Sequence, residues 1–208
     1  MFLLVALGNP GARYAGNRHN VGFMSGDAIA ARHGFGPERT RFQAVTREGT
    51  VETAAGAEKV LLLKPQTYMN LSGNAVAEAV QFYKLGLDRI AVLHDELDLP
   101  PGRVRVKVGG GHAGNNGIRS IAAAVGPDFK RVRIGIGHPG DKSRVTGHVL
   151  SDFSKADAAW LDPLLEEIAR SVSLLIEGRD ADFVRRCAQA LPPPPEGPAP
   201  AGGDDRTG

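Results

Sequence analysis

The chain has one cysteine, Cys187, in 208 residues, so no disulfide can close within it. A lone thiol late in a chain suits a reducing cytosol better than a cross-linked secreted scaffold, and its expected role is packing. Long hydrophobic runs are missing too. The apolar start, Met1-Phe2-Leu3-Leu4-Val5-Ala6-Leu7, has no basic leader and runs straight into Gly8-Asn9-Pro10-Gly11. It is too short for a signal core or a membrane span and reads as a first buried strand. Charge of one sign is scarce: the formal net charge is +2. Any contact with a polyanion must therefore come from a local patch rather than from a field over the whole molecule.

Several chemistries lack their residues. His19, His33, His94, His112, His138 and His148 include no helical pair with an intervening Glu, which makes metal-assisted hydrolysis unattractive. No serine sits in a Gly-x-Ser-x-Gly nucleophile elbow, and Cys187 falls in a late amphipathic stretch. The glycine-rich segment Gly109-Gly110-Gly111-His112-Ala113-Gly114-Asn115-Asn116-Gly117 matches neither a phosphate loop nor a dinucleotide fingerprint. What remains is a histidine acting on water.

An apolar content of 42% over this length is enough for one well-packed domain. Short β-branched runs over 2–7, 59–63, 89–93, 104–108 and 131–136 read as strands. Helical stretches over 21–33, 75–84 and 116–125 lie between them, the last stopped by Gly126-Pro127. Alternation of strands and helices predicts an α/β fold with a mostly parallel sheet covered on both faces. Segments 42–47 and 51–55 alternate in polarity and suggest an antiparallel hairpin at one edge, making the sheet mixed. Helices are expected over 155–178 and 180–191. Residues 192–208, rich in Pro and Gly, have almost nothing apolar to bury and are expected to form a disordered tail after a single domain spanning 1–191.

The candidate chemistry lies at strand ends, where ligand crevices of parallel sheets form. The first strand runs into Gly8-Asn9-Pro10-Gly11, followed by Tyr14, Arg18, His19 and Asn20; a turn and helix cap would use the same residue types. Another strand ends in His94-Asp95-Glu96-Leu97-Asp98, which is either a solvated charge run or the carboxylate partner of a histidine. An Asp beside a His fixes the imidazole tautomer and stabilises the imidazolium formed when the ring takes a proton, so His19 with Asp95 is a candidate base and orienter. The stretch Thr67-Tyr68-Met69-Asn70-Leu71-Ser72-Gly73 either caps a helix or offers an apolar wall to a base, ribose or peptide side chain. The glycine-rich loop either brings backbone close to a ligand or acts as a lid. Arg103, Arg105, Lys107, Lys130, Arg131, Arg133, Lys142 and Arg144 are either scattered surface charge or a patch for an RNA backbone.

Taken in order, Gly8-Asn9-Pro10-Gly11, Tyr14, Arg18-His19-Asn20, Thr67 to Gly73, His94-Asp95-Glu96-Leu97-Asp98-Leu99-Pro100, Gly109-Gly110-Gly111-His112 and Arg133-Ile134-Gly135-Ile136-Gly137-His138-Pro139 closely resemble the bacterial peptidyl-tRNA hydrolases. The likeness extends from the first strand to about Leu191. It implies a monomeric cytoplasmic enzyme with no metal or organic cofactor and no membrane association, which cleaves the ester joining an N-blocked peptide to the 3′ end of tRNA. By the same resemblance His19 is the general base, oriented by Asp95. Asn9, Asn70 and Asn116 bind the peptide main chain or place water, and Asn9 helps reject an unblocked amine. Tyr14 and Tyr68 contact the tRNA end and adjoining substrate, and Lys107 and Arg133 take phosphate. Two positions depart from the family pattern: Asn115 stands where many relatives have histidine, and Tyr68 where some have phenylalanine.

Two other classes compete: a noncatalytic RNA-binding protein on this fold, and a metal-dependent peptidase or esterase. The pairing of His19 and Asp95 with three crevice asparagines argues against the first. Deleting the residues after Leu191 is expected to leave ester cleavage at the full-length rate, as measured by peptide release from an N-blocked aminoacyl-tRNA.

Overall fold

The computed structural model describes residues 1–191. Seven strands form one sheet in the order β2-β3-β4-β1-β5-β7-β6. In chain order they are β1 (Phe2–Ala6), β2 (Arg39–Arg41), β3 (Ala44–Thr53), β4 (Gly56–Pro65), β5 (Ile90–Glu96), β6 (Val104–Val108) and β7 (Lys130–Gly135). The helices are α1 (Val21–Arg32), α2 (Ser72–Tyr83), α3 (Asn116–Val125), α4 (Val145–Val149), α5 (Ala158–Ile176) and α6 (Asp180–Gln189).

β1 lies at the centre, parallel to β4 on one side and β5 on the other. All five of its residues are buried because both faces are covered. Phe2, Leu4 and Ala6 pack into a core closed by α1, α5 and α6, whereas Leu3 and Val5 pack into a second core closed by α2 and α3. Alternation of side chains across the strand divides one apolar run between two cores. Each buried Phe, Leu or Val of the strand contributes roughly 1.5–3 kcal/mol.

The central strands β4, β1, β5 and β7 are parallel, and both edges are antiparallel. The expected hairpin between 42–47 and 51–55 does not exist. β3 runs unbroken through Glu48, Gly49 and Thr50, pairing residue for residue with β4 from Ala44↔Pro65 to Thr53↔Gly56. Gly49, between the two segments, lies within the strand with a ring packed on it: a Cβ there would lie 2.1 Å from a ring carbon of Phe35. The turns fall at the outer ends of the two segments, at Phe42-Gln43 and Ala54-Ala55, and not between them. Phe42 and Gln43 adopt φ of 54° and 51°, which costs roughly 1–2 kcal/mol per residue. Packing of the Phe42 ring on Phe82 and Tyr83, with centroids 5.4 and 6.0 Å apart, offsets part of that cost. The strand at 104–108 forms as expected, but it returns antiparallel to β7 as the opposite edge.

After β1 the chain passes to β4 on one side, then crosses to β5 on the other, so the connections diverge at the carboxyl end of β1. That divergence opens a crevice. The start of α1 is drawn against the same strand ends: the Phe23 N–H donates to the Leu7 carbonyl at 3.1 Å, and the Leu7 N–H to the Leu93 carbonyl at 3.0 Å. Gly22 permits this approach, since a Cβ there would lie 2.4 Å from the Leu93 carbonyl oxygen and 2.5 Å from that of Leu7. Both obstacles are backbone and cannot rotate away. Gly22→Ala is therefore expected to destabilise the fold by about 1–3 kcal/mol in urea unfolding, because overpacking outweighs the roughly 1 kcal/mol that Ala gains over Gly in a helix.

Candidate active site

His19 lies in a single 3-10 turn, Arg18–Asn20, immediately before α1. Asp95 is the penultimate residue of β5 and is 4% exposed. The close seating of α1 on the strand ends brings the two together: His19 Nδ1 is 2.8 Å from Asp95 Oδ2. A carboxylate accepts, so Nδ1 carries the hydrogen and Nε2 keeps its lone pair. Burial pushes the His19 pKa down, but the charge of Asp95 and its hydrogen bond raise it further, leaving it above the ordinary histidine value.

Asn9 follows β1 and is 9% exposed. It is locked to Asn20 by a reciprocal pair of bonds: the Asn9 N–H donates to Asn20 Oδ1 at 2.9 Å, and Asn20 Nδ2 donates to the Asn9 carbonyl at 3.0 Å. Its Oδ1 accepts the Met69 N–H at 3.2 Å, so the side chain's remaining groups are the two Nδ2 hydrogens. Asn115 caps α3 and donates through Nδ2 to Asp95 Oδ1 at 3.1 Å.

These residues line one cleft of about 510 Å³, together with Tyr68, Asn70, Asn116 and Arg119. Asn70 lies in the 3-10 turn Met69–Leu71 beyond β4, and Asn116 opens α3. Tyr68 is 63% exposed and stands at the rim. Val145, Val149 and Leu150, from α4 and the residue after it, line another part of the wall. The segment after α4 is tied back to the His19 turn: Arg18 Nη1 donates to Ser151 Oγ and to the Asp152 carbonyl, each at 2.7 Å, and Asn17 Nδ2 donates to Asp152 Oδ1 at 2.7 Å.

A second pocket of about 230 Å³ shares Glu96 and Ala113 with the cleft and is lined by Lys107, Arg131 and Arg133. Arg133 Nε pairs with the buried Glu96 carboxylate at 2.8 Å, and Arg131 binds the carbonyls of Gly111 and Pro127, which holds the glycine-rich loop. His94 lines this pocket and donates from Nδ1 to the Asp95 carbonyl at 2.8 Å; burial holds its pKa below the ordinary value. Of the basic residues noted in the sequence, Lys130 is used elsewhere, bonded to Asp180 and the Leu175 carbonyl, and Arg105 lines a groove beside α6.

The structure thus gathers Asn9, His19, Tyr68, Asn70, Asp95 and Asn116 in one cleft and Lys107 and Arg133 in the adjoining pocket. Tyr14 is lined up with neither; its hydroxyl is bonded by Arg13. The acidic stretch after His94 is not a solvated run, because Asp95 and Glu96 are strand residues with 4% and 5% exposure. Sequence reasoning gave no role to Asn20 or to the Val145–Val149 helix. Asn20 stood in a cluster already noted, but a five-residue helix offers no readable periodicity. Among the described residues no three His, Cys, Asp or Glu side chains group as metal ligands, and no helix is long and apolar enough to cross a membrane.

The family model for peptidyl-tRNA hydrolase matches residues 3–192. This chain belongs to the peptidyl-tRNA hydrolase family. The peptidyl-tRNA hydrolase of Parvibaculum lavamentivorans is 59% identical over 197 residues, covering 94% of each chain. That of Cereibacter sphaeroides is 59% identical over 194 residues, covering 93% of this chain and 84% of the relative. The crystal structure of peptidyl-tRNA hydrolase from Acinetobacter baumannii superposes with a TM-score of 0.82 at 40% identity, covering 90% of this chain and 94% of that one. The mixed sheet with helices on both faces is therefore the fold of peptidyl-tRNA hydrolase structures as well as of this chain.

The electrostatics of the His19–Asp95 pair have a direct test. In Asp95→Asn the imidazole stays buried while the charge that opposes the effect of burial is gone, so His19 is expected to titrate below the ordinary histidine value instead of above it. NMR observation of the ring protons across pH reads the change; an unchanged midpoint would mean that Asp95 does not set the basicity of His19.

Proposed function

We propose that this protein hydrolyses the ester between an N-blocked peptide and the 3′ end of tRNA, with His19 as the base that activates water. The observation that carries this reading is the His19–Asp95 pair set in a cleft lined by three asparagines, Asn9, Asn70 and Asn116. With Nδ1–H committed to Asp95, Nε2 is the free acceptor. It takes a proton from water while the water oxygen bonds to the ester carbonyl carbon. As the tetrahedral intermediate collapses, the bond from that carbon to the ribose 3′ oxygen breaks and the proton passes from His19 to that oxygen. Products are the peptide acid and a free tRNA hydroxyl. General base assistance of this kind contributes typically about 10²–10⁴-fold.

In this reading Asn9 offers its Nδ2 hydrogens to the peptide carbonyl, and Asn70 and Asn116 bind peptide main chain or place the water. Tyr68 packs against the substrate at the rim, and Tyr14 meets the tRNA end from outside the cleft. Lys107 and Arg133 take a phosphate, Lys107 as a point charge and Arg133 through the guanidinium nitrogens left free by Glu96. The pocket they share adjoins the cleft, so the nucleic acid and the ester meet side by side. In this reading the substrate arises in the cytoplasm, and the protein works there as a monomer. Cys187 is not a nucleophile in this scheme, since burial pushes its thiol up to about 12.

The test is release of peptide from N-blocked aminoacyl-tRNA, with the unblocked ester and a chelator as controls. Wild type is expected to cleave the blocked substrate, spare the unblocked one and ignore chelation, while His19→Ala folds normally and loses at least about a hundredfold in kcat. Wild-type rates in His19→Ala would remove His19 as the base. Binding of tRNA by folded wild type without cleavage would favour an RNA-binding role instead.

A further inference from the structure

Each oxygen of Asp95 has its own partner. Oδ2 faces His19 Nδ1 at 2.8 Å, and Oδ1 accepts from Asn115 Nδ2 at 3.1 Å. The same Asn115 side chain accepts, through its own Oδ1, the N–H groups of Gly117 and Ile118 at 3.0 and 3.1 Å. Its carboxamide therefore does two jobs at once: one end caps α3 and the other grips the carboxylate. The first-turn N–H groups at a helix start are unpaired unless a side chain accepts from them, so the cap holds the amide plane in place. An amide held in that plane has only one direction in which to aim its N–H bonds, and that direction is Asp95.

We propose that Asn115 is a positioning residue for the hydrolytic site, tying Asp95 to the first turn of α3 so that its other oxygen stays turned toward His19. The inference rests on His19 and Asp95 acting as read above, and it assigns a task to a residue whose cap alone would account for its presence. The result is a chain of hydrogen bonds running from α3 through Asn115 and Asp95 to His19, joining helices that flank opposite faces of the sheet. Bonds linked in series polarise one another. An amide donor does not titrate, so this restraint on Asp95 is the same at every working pH.

The charged and titratable groups around the pair are few. Glu96 and His94 flank Asp95 on β5, with Glu96 held by Arg133 and His94 bonded to the Asp95 carbonyl. Arg119 of α3 lines the cleft, and Arg18, beside His19, is engaged by Asp157 at 3.1 Å. None of them donates to Asp95 Oδ1; Asn115 is its only side-chain donor among the described residues.

Capping and positioning are separable, because Thr and Asp both cap helices well, while Asp has no hydrogen to donate and Thr has no second polar atom to reach Asp95 when its hydroxyl is at the cap. In Asn115→Thr the helix start is kept and the grip on Asp95 is lost. The expected result is a folded protein somewhat less stable than wild type, kcat lowered about ten- to a hundredfold with KM little changed, and a His19 titration moved to lower pH as the carboxylate turns away. In Asn115→Asp the cap is again kept and kcat again falls, but a second carboxylate now raises the His19 titration. Asn115→His, which regains an N–H donor, is expected to recover most of kcat. The titration is read by NMR in the full-length protein and the rates by peptide release, with His19→Ala alongside. Opposite shifts in the two capping variants, with loss of kcat in both, support the proposal. Unchanged kcat and titration in Asn115→Thr, while His19→Ala is inactive, would overturn the positioning role and leave the hydrolase reading standing. Full activity in His19→Ala would overturn both.

Discussion

A carboxylate that is 4% exposed must find in protein the hydrogen bonds it gives up in water, and Asp95 organises the site by that requirement. One oxygen is met by His19 from the turn before α1, the other by Asn115 from the start of α3. The two helices flank opposite faces of the sheet, so a single buried carboxylate ties both cores to one point at the carboxyl end of β5. Leaving either oxygen unpaired costs on the order of 1–3 kcal/mol or more, comparable with a large core substitution. The imidazole therefore has little freedom to leave, and its basicity follows from the carboxylate beside it.

The remaining groups are placed by sheet topology. Because the chain leaves β1 toward β4 and later crosses to β5, Asn9, Asn70 and Asp95 issue from adjacent parallel strands and open into the same crevice. The antiparallel edge strand β6 then carries Lys107 alongside Arg131 and Arg133 of β7, where the register pairs Lys107 with Arg131. Three cations would repel one another if unbalanced. Glu96 pairs with Arg133, and backbone carbonyls take up Arg131, leaving Lys107 as the exposed charge of the group. A mildly basic chain thus concentrates positive charge beside the cleft without a strong field elsewhere.

The fold was largely legible in the sequence, and the places where it was not share a cause. Helix α3 is found over the expected residues, since Asn115 is a strong cap and Gly126 a strong stop. The strands of the centre are apolar on both faces and are readable for that reason. The hairpin was misplaced because the two alternating segments lie about a turn apart, whereas the strand runs on between them with the Phe35 ring packed over Gly49. The turns that do form use Phe42 and Gln43, which carry no turn signal and are held by aromatic contacts across the sheet edge. The tail expected beyond Leu191 lies outside the described residues.

The sequence by itself determined which residue types were available for the chemistry: histidines beside strand ends, an acidic strand terminus and a set of asparagines, with no serine elbow and no metal-binding helix. It also determined the alternation of strands and helices, because hydrophobic periodicity is a local property. Only the tertiary structure decided which partner each group meets. That Asp95 pairs with His19 rather than facing solvent, that Asn115 reaches Asp95 as well as capping its helix, and that Tyr14 stays outside the cleft all depend on contacts between residues far apart in the chain. Those contacts are set by how closely helices seat on the sheet, and by single positions such as Gly22 where a missing side chain lets them do so.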